Sequence, residues 1–140
     1  MNQPPTGIKP ASAAPVRCTN LHDHLKLLDE AGLLITINEP INKDTEMHAL
    51  VRWQFRGSIA EDQRKAFLFT NIVDSKGRHY DIPVVIGALA ANSEIYRIGM
   101  GVERVEDIGP RWTQAIANPI HPMIVSVAPC QEIVITGGGL

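Results

Sequence analysis

Apolar residues in this chain fall into short runs of strand length, separated by stretches in which they recur at helical spacing. Residues 82–89 read Ile-Pro-Val-Val-Ile-Gly-Ala-Leu. A β-branched run opened by proline and closed by small residues predicts a strand buried on both faces, and it is taken as the centre of the domain. Residues 33–37, 66–73 and 123–127 share that length and composition and are expected to pair around it in one sheet. Between them, Leu21, Leu25, Leu28 and Ala31 repeat as one face of a helix, with Asn20 as its cap and Gly32 as a left-handed stop. Met47, Leu50, Val51 and Phe55 form a second stripe, capped by Asp44 or Thr45 and ended by Gly57. Strands interleaved with helices predict an α/β domain, with α+β as the alternative: a small mixed β-sheet flanked by helices.

Turn chemistry fixes the connections. Asn38-Glu39-Pro40 breaks the chain after the first strand, because proline biases its predecessor away from helix and lacks a ladder donor. Residues 58–65 are polar and predict a surface loop. Asp74-Ser75-Lys76-Gly77-Arg78 has the residues of a tight turn and predicts an antiparallel hairpin on either side. Asn92 or Ser93 caps a helix through Gly99, and another is expected over 105–117, begun or interrupted at Pro110 and stopped by Pro119 and Pro122. Residues 132–136 alternate as a last strand. Residues 1–18, with Pro4, Pro5, Pro10 and Pro15 among small residues, predict a flexible tail; 19–136 form the domain, and 137–140 read as the start of a linker.

Composition narrows the function. The 140 residues are 44% hydrophobic and 20% charged, enough apolar content for one globular core. A net charge of −2, with both signs mixed along the chain, leaves no electrostatic footprint for nucleic acid or an anionic membrane. No apolar run approaches the roughly 20 residues a bilayer crossing needs, and the N-terminus has no apolar signal core, so a cytoplasmic location is the expectation. The two cysteines, Cys18 and Cys130, are read as free thiols.

Each candidate for chemistry has a blander structural reading that outweighs it. His22 and His24 sit two apart on a helix, pointing about 200° from one another, where metal ligands want three or four residues of spacing; they are read as surface or cap-region histidines. Gly99-Met100-Gly101 starts like a dinucleotide fingerprint, but Arg104 stands where the third glycine belongs and a helix precedes it, so it is a helix end. Glu103, Glu106 and Asp107, and likewise Glu61 and Asp62, read as solvated faces. Cys130 has no histidine near it and is read as inert. Trp53 reads as packing, not as a stacking platform. No catalytic, cofactor-binding or metal-ligating residue is nominated.

One resemblance runs through these pieces in order. Leu21, Leu25 and Leu28, Gly32-Leu33, Ile37, Glu39-Pro40-Ile41, Asp44 and Glu46 are similar to the opening of the UbiD family of decarboxylases. Lys65-Ala66-Phe67-Leu68-Phe69-Thr70-Asn71-Ile72 resembles the strand that follows there, as do Pro83-Val84-Val85-Ile86-Gly87 and, later, Ala128-Pro129-Cys130-Gln131-Glu132 with Gly137. Departures fall at Gly87 and Glu94, where the family often has asparagine and a basic residue, and at Gly138 and Gly139 in place of acidic linker residues.

The resemblance implies a carboxy-lyase that reversibly removes carbon dioxide from aromatic, heteroaromatic or α,β-unsaturated acids. It implies prenylated flavin mononucleotide as cofactor, with a divalent metal (manganese or magnesium) and a monovalent cation such as potassium at the flavin phosphate. In the family the flavin ligands and the glutamate-arginine-glutamate set lie in a split-barrel domain beyond the position of Leu140, so no catalytic position carries over and this chain alone is expected to be inactive. The implied partners are the flavin-binding and C-terminal domains, a small carboxylic acid and, at full length, a homo-oligomer. Two arrangements stay open: the N-terminal portion of a longer decarboxylase, or a separate small subunit that docks on a flavin-binding partner.

Overall fold

A computed structural model describes residues 18–128. The elements follow in the order α1 (Leu21–Glu30), β1 (Leu34–Ile37), β2 (Ile41–Asn42), α2 (Met47–Arg56), β3 (Ala66–Phe69), β4 (Ile72–Val73), β5 (His79–Tyr80), β6 (Val84–Ile86), α3 (Ser93–Met100) and α4 (Ile108–Ala117), with single 3-10 turns at Glu61–Gln63 and Val105–Asp107. Helices and small mixed sheets alternate along the chain, which is the expected α/β class.

Two three-stranded sheets replace the single sheet expected from the pattern. One runs β1-β3-β6 and the other β2-β4-β5. β1 lies parallel to β3 and β2 parallel to β4, while β3–β6 and β4–β5 are antiparallel. Each strand of the first sheet is followed or preceded in sequence by its counterpart in the second, so both have the same lateral order. They are two halves of one three-stranded ribbon, interrupted at one level: at 38–40, at 70–71 and at 81–83. Pro40 and Pro83 supply two of those breaks, since neither has an N–H for the ladder. At the third, Thr70 Oγ1 turns aside to donate to Asn38 Oδ1 at 2.7 Å. The parallel β1–β3 pair needs a crossover, which α2 provides.

The centre is β3, not the strand at 82–89. Ala66 and Phe69 are fully buried, and the Phe67 and Phe69 rings stack with centroids 5.8 Å apart. Among the described residues β6 has a neighbour on one side only, and Val84, Val85 and Ile86 are half-buried. Residues 123–127, expected as a strand, form neither helix nor strand. Residues 132–136 and the tail at 1–17 lie outside the described residues.

Apolar side chains separate into two clusters, one on each face of the β1-β3-β6 sheet. On one face Met47 and Val51 of α2 pack with Ile41, Phe67, Phe69 and Ile72. On the other, Leu28 of α1 and Ile95 of α3 close over Ala66, Ala88 and Ala91. α1 begins as its sequence dictates: Asn20 Oδ1 accepts from Asp23 N at 2.9 Å, and Gly32 follows the helix at φ +67°. At α2, Glu46 stands at the N-cap in place of Asp44 or Thr45, and its carboxylate reaches back to Asn42 N at 2.8 Å. Asn42 Oδ1 meanwhile accepts from the N–H groups of both Asp44 and Thr45, and the Asp44 carboxylate accepts from Lys43 Nζ and Ser75 N instead of capping the helix. At the 74–78 turn Asp74 Oδ1 accepts from Lys76 N and Arg78 N, both at 2.9 Å, which closes the β4–β5 hairpin.

Candidate functional site

An apolar-lined concavity forms where β6 passes into α3. It is an open groove of about 530 Å³, lined by Val85 and Ile86, by the Gly87–Ala91 connection, by Leu21 from α1 and by Phe55 from α2. Because α1 and α2 lie on opposite faces of the sheet, a groove that touches both straddles the free edge of β6. Its bend depends on Gly87, which sits at φ +82°, with Ala91 Cβ 3.2 Å from where a side chain would begin.

Polar side chains hold this connection from beneath. His24 Nε2 lies 2.6 Å from the Ala88 carbonyl oxygen, to which it donates, and its Nδ1 faces the Cys18 thiol at 3.8 Å. Asn92 caps α3 by accepting from Ile95 N at 2.7 Å and donates to the Arg64 carbonyl at 2.5 Å. Gln54, buried on α2, takes the N–H of Lys65 at 2.7 Å and donates to its carbonyl at 2.9 Å, acting as a substitute strand for one residue. Glu61 places a carboxylate oxygen on Ser93 N and Ser93 Oγ. The loop at 61–65 is thereby tied to α2 and to the first turn of α3.

Several sequence readings change here. His24 is buried, 6% exposed, and belongs to the core instead of the surface or cap region; His22, two residues earlier, is exposed. Trp53 is 60% exposed, and Phe55 is exposed with the Arg64 guanidinium carbon 5.3 Å from its ring centroid. The buried face of α2 is Met47, Val51 and Gln54, rotated from the expected stripe because Gln54 must reach the Lys65 backbone. Glu61 is a structural partner of Ser93 and not merely a solvated acid. Gly101 ends α3 at φ +62°, so the Gly99-Met100-Gly101 run is a helix end as expected. Asp107 pairs with Arg104 at 2.8 Å. Cys130 lies outside the described residues.

Electrostatics give these groups structural roles. Burial, with the Asp23 carboxylate nearby, pushes the Cys18 thiol up, away from the thiolate a nucleophile needs. The Lys43 ammonium and the Ser75 N–H beside Asp44 lower its carboxyl to about 2. Asp74 is held down by the N–H of Arg78, then the Tyr80 hydroxyl and the N–H of Lys76. Lys43 and Arg78 both lie over the Tyr80 ring, 5.5 and 4.8 Å from its centroid. The Asp44 and Asp74 shifts mark turns being fastened, since the groups that lower them are hydrogen-bond and charge partners in the 42–44 and 74–80 segments.

The first turn of α3, where an anion would sit on free N–H groups, already holds the Glu61 carboxylate and the Asn92 side chain. Among the described residues no group of three histidine, cysteine or acidic side chains could hold a metal ion, and no helix is long and apolar enough to cross a membrane.

No solved structure matches the chain. Residues 25–112, from the middle of α1 to the first half of α4 and so more than half of the chain, match the family model described as the 3-octaprenyl-4-hydroxybenzoate carboxy-lyase N-terminal domain. Both apolar clusters and the β6 edge fall within that span, and the chain therefore belongs to the UbiD family of carboxy-lyases, to which it contributes the N-terminal domain.

Proposed function

We propose that this chain is the non-catalytic N-terminal portion of a UbiD-type decarboxylase that acts reversibly on aromatic, heteroaromatic or α,β-unsaturated carboxylic acids in the cytoplasm. The observation that carries the reading is the match over 25–112 to the N-terminal domain of a carboxy-lyase. The commitment of His24, Glu61 and Asp74 to backbone partners within the fold supports the non-catalytic part, because a general acid must be free to reach a substrate. In this reading prenylated flavin, its divalent and monovalent cations and the proton donor all belong to the catalytic portion, and this domain supplies a rigid, apolar-edged body for that portion to pack on.

A separate small subunit is the second reading, and the exposed apolar side chains of Leu21, Phe55, Ile82 and Leu89 would be covered by the catalytic portion in either arrangement. A direct experiment adds the purified chain to the flavin-loaded catalytic portion of a family decarboxylase from which the N-terminal domain has been removed. Carbon dioxide release from an unsaturated acid is expected to rise on addition. An unchanged rate, with no complex on size-exclusion chromatography, would overturn the proposal.

A further inference from the structure

α2 has a second face that the core does not use. Met47, Val51 and Gln54 turn inward, and away from them Ala49, Arg52, Trp53 and Arg56 recur at i, i+3, i+4 and i+7, all exposed. That spacing puts the four side chains on one strip of helix surface, the arrangement by which a helix packs against another element. Here the strip is a small residue beside two arginines and a tryptophan.

Its charge is unbalanced. From Met47 to Arg56 the helix holds no acid, so Arg52 and Arg56 face each other across one turn as a like-charged pair, which weakens a helix. A solvated face mixes the signs at that spacing, as Lys26 and Glu30 do on α1. Among the described residues Arg64, Arg78, Arg97, Arg104 and Arg111 each have a partner within the chain, whereas Arg52 and Arg56 have none. Between the two arginines in sequence, Trp53 is 60% exposed. Its indole lies along the helix because residue 57 is glycine, where a Cβ would come within 2.8 Å of Nε1.

We infer that this strip docks an acidic helix of another protein. Charge complementarity selects the occupant: guanidinium groups pair with carboxylates in two parallel hydrogen bonds, and Arg52 and Arg56 lie about 6 Å apart along the axis, the spacing of glutamates at i and i+4 on a facing helix. An apolar side chain of that helix covers Trp53 and enters the space beside Ala49. Tryptophan and arginine are also the residues that carry most of the energy of protein interfaces. Two arginines on a chain of net charge −2 do not make a track for a phosphate backbone, which favours a polypeptide over a nucleic acid.

The test is fluorescence anisotropy of a labelled helical peptide of about 15 residues, with glutamate at every fourth position and leucine beside each, titrated with the whole chain. Binding should weaken about tenfold between roughly 50 and 300 mM salt. Arg52→Glu combined with Arg56→Glu should weaken it tenfold or more, and Trp53→Ala about fivefold, with circular-dichroism spectra unchanged because all three side chains are exposed. The same peptide with lysine for glutamate should pass over the unsubstituted chain and bind the double glutamate variant, a reversal that misfolding would not produce. No binding of the glutamate peptide up to about 1 mM, binding indifferent to the three substitutions, or a single-stranded DNA oligonucleotide bound more tightly than the peptide would each overturn the inference.

Discussion

His24 Nε2 donates to the carbonyl oxygen of Ala88 across 2.6 Å, joining residues 64 apart in sequence and pinning the β6–α3 connection to α1. The histidine is buried within the fold, and the bond it makes to the carbonyl is buried with it. His24→Ala should therefore leave a buried acceptor unsatisfied and cost about 1–3 kcal/mol, with any cavity adding to that. Urea unfolding followed by circular dichroism measures it. A loss below about 0.5 kcal/mol, the range of ordinary surface changes, would show that the hydrogen bond does not hold the connection.

Gln54 offers a second test of the same support. Its amide satisfies both backbone groups of Lys65, so Gln54→Ala should destabilise the domain by about 2–3 kcal/mol, more than a surface glutamine would. Gln114→Ala, on the exposed face of α4, is the comparison and should stay within about 0.5 kcal/mol of the unsubstituted chain. Equal effects at the two positions would contradict the assigned role.

Gly87→Ala should cost about 1–2 kcal/mol, the penalty for a side chain held in left-handed backbone. The new methyl would also lie 3.2 Å from Ala91 Cβ, and both should be read in the same unfolding experiment. An unchanged midpoint would mean the connection relaxes to negative φ without loss.

Acid should loosen the turns around Tyr80. Asp44 titrates near 2 in the folded chain because Lys43 and Ser75 favour its charged form, against an ordinary 3.8. A depressed folded value contributes stability that is present above the unfolded pKa and is lost as pH falls through the folded one. The Asp44 contribution should therefore decline from about pH 4 down to about pH 2. Asp44→Asn should flatten that part of the stability profile and leave the profile above pH 5 unaltered in slope. A variant with the same acid slope would assign the dependence elsewhere, Asp74 being the next carboxylate held low.

What was legible in the sequence was local. Asn20, Gly32, Asn92 and the Asp74 turn act within a few residues of themselves, and the structure has them where their chemistry requires. The apolar runs located most strands, but β-branched runs do not reveal which strand has two neighbours, and so the centre moved from the 82–89 run to β3. His24 was misread, and Gln54 went unremarked, for the same reason. Their partners, Lys65 and Ala88, are 11 and 64 residues away, and a polar side chain at a helical position announces a buried role only once those backbone groups are brought to it. The candidate groove had no sequence signal beyond the small residues Gly87 to Ala91. The family's order of motifs located the domain where individual residues had pointed to no reaction.

This domain belongs to the carboxy-lyase family, and its proposed non-catalytic role can be tested on the chain alone. The most direct measurement is to purify the 140-residue chain from cells that make prenylated flavin, record its flavin absorbance, and assay carbon dioxide release from unsaturated and aromatic acids. The expected result is a folded protein with no stoichiometric flavin and no turnover above background. Flavin bound one to one, or carbon dioxide released at a rate proportional to the protein added, would contradict it and put an active site within this chain.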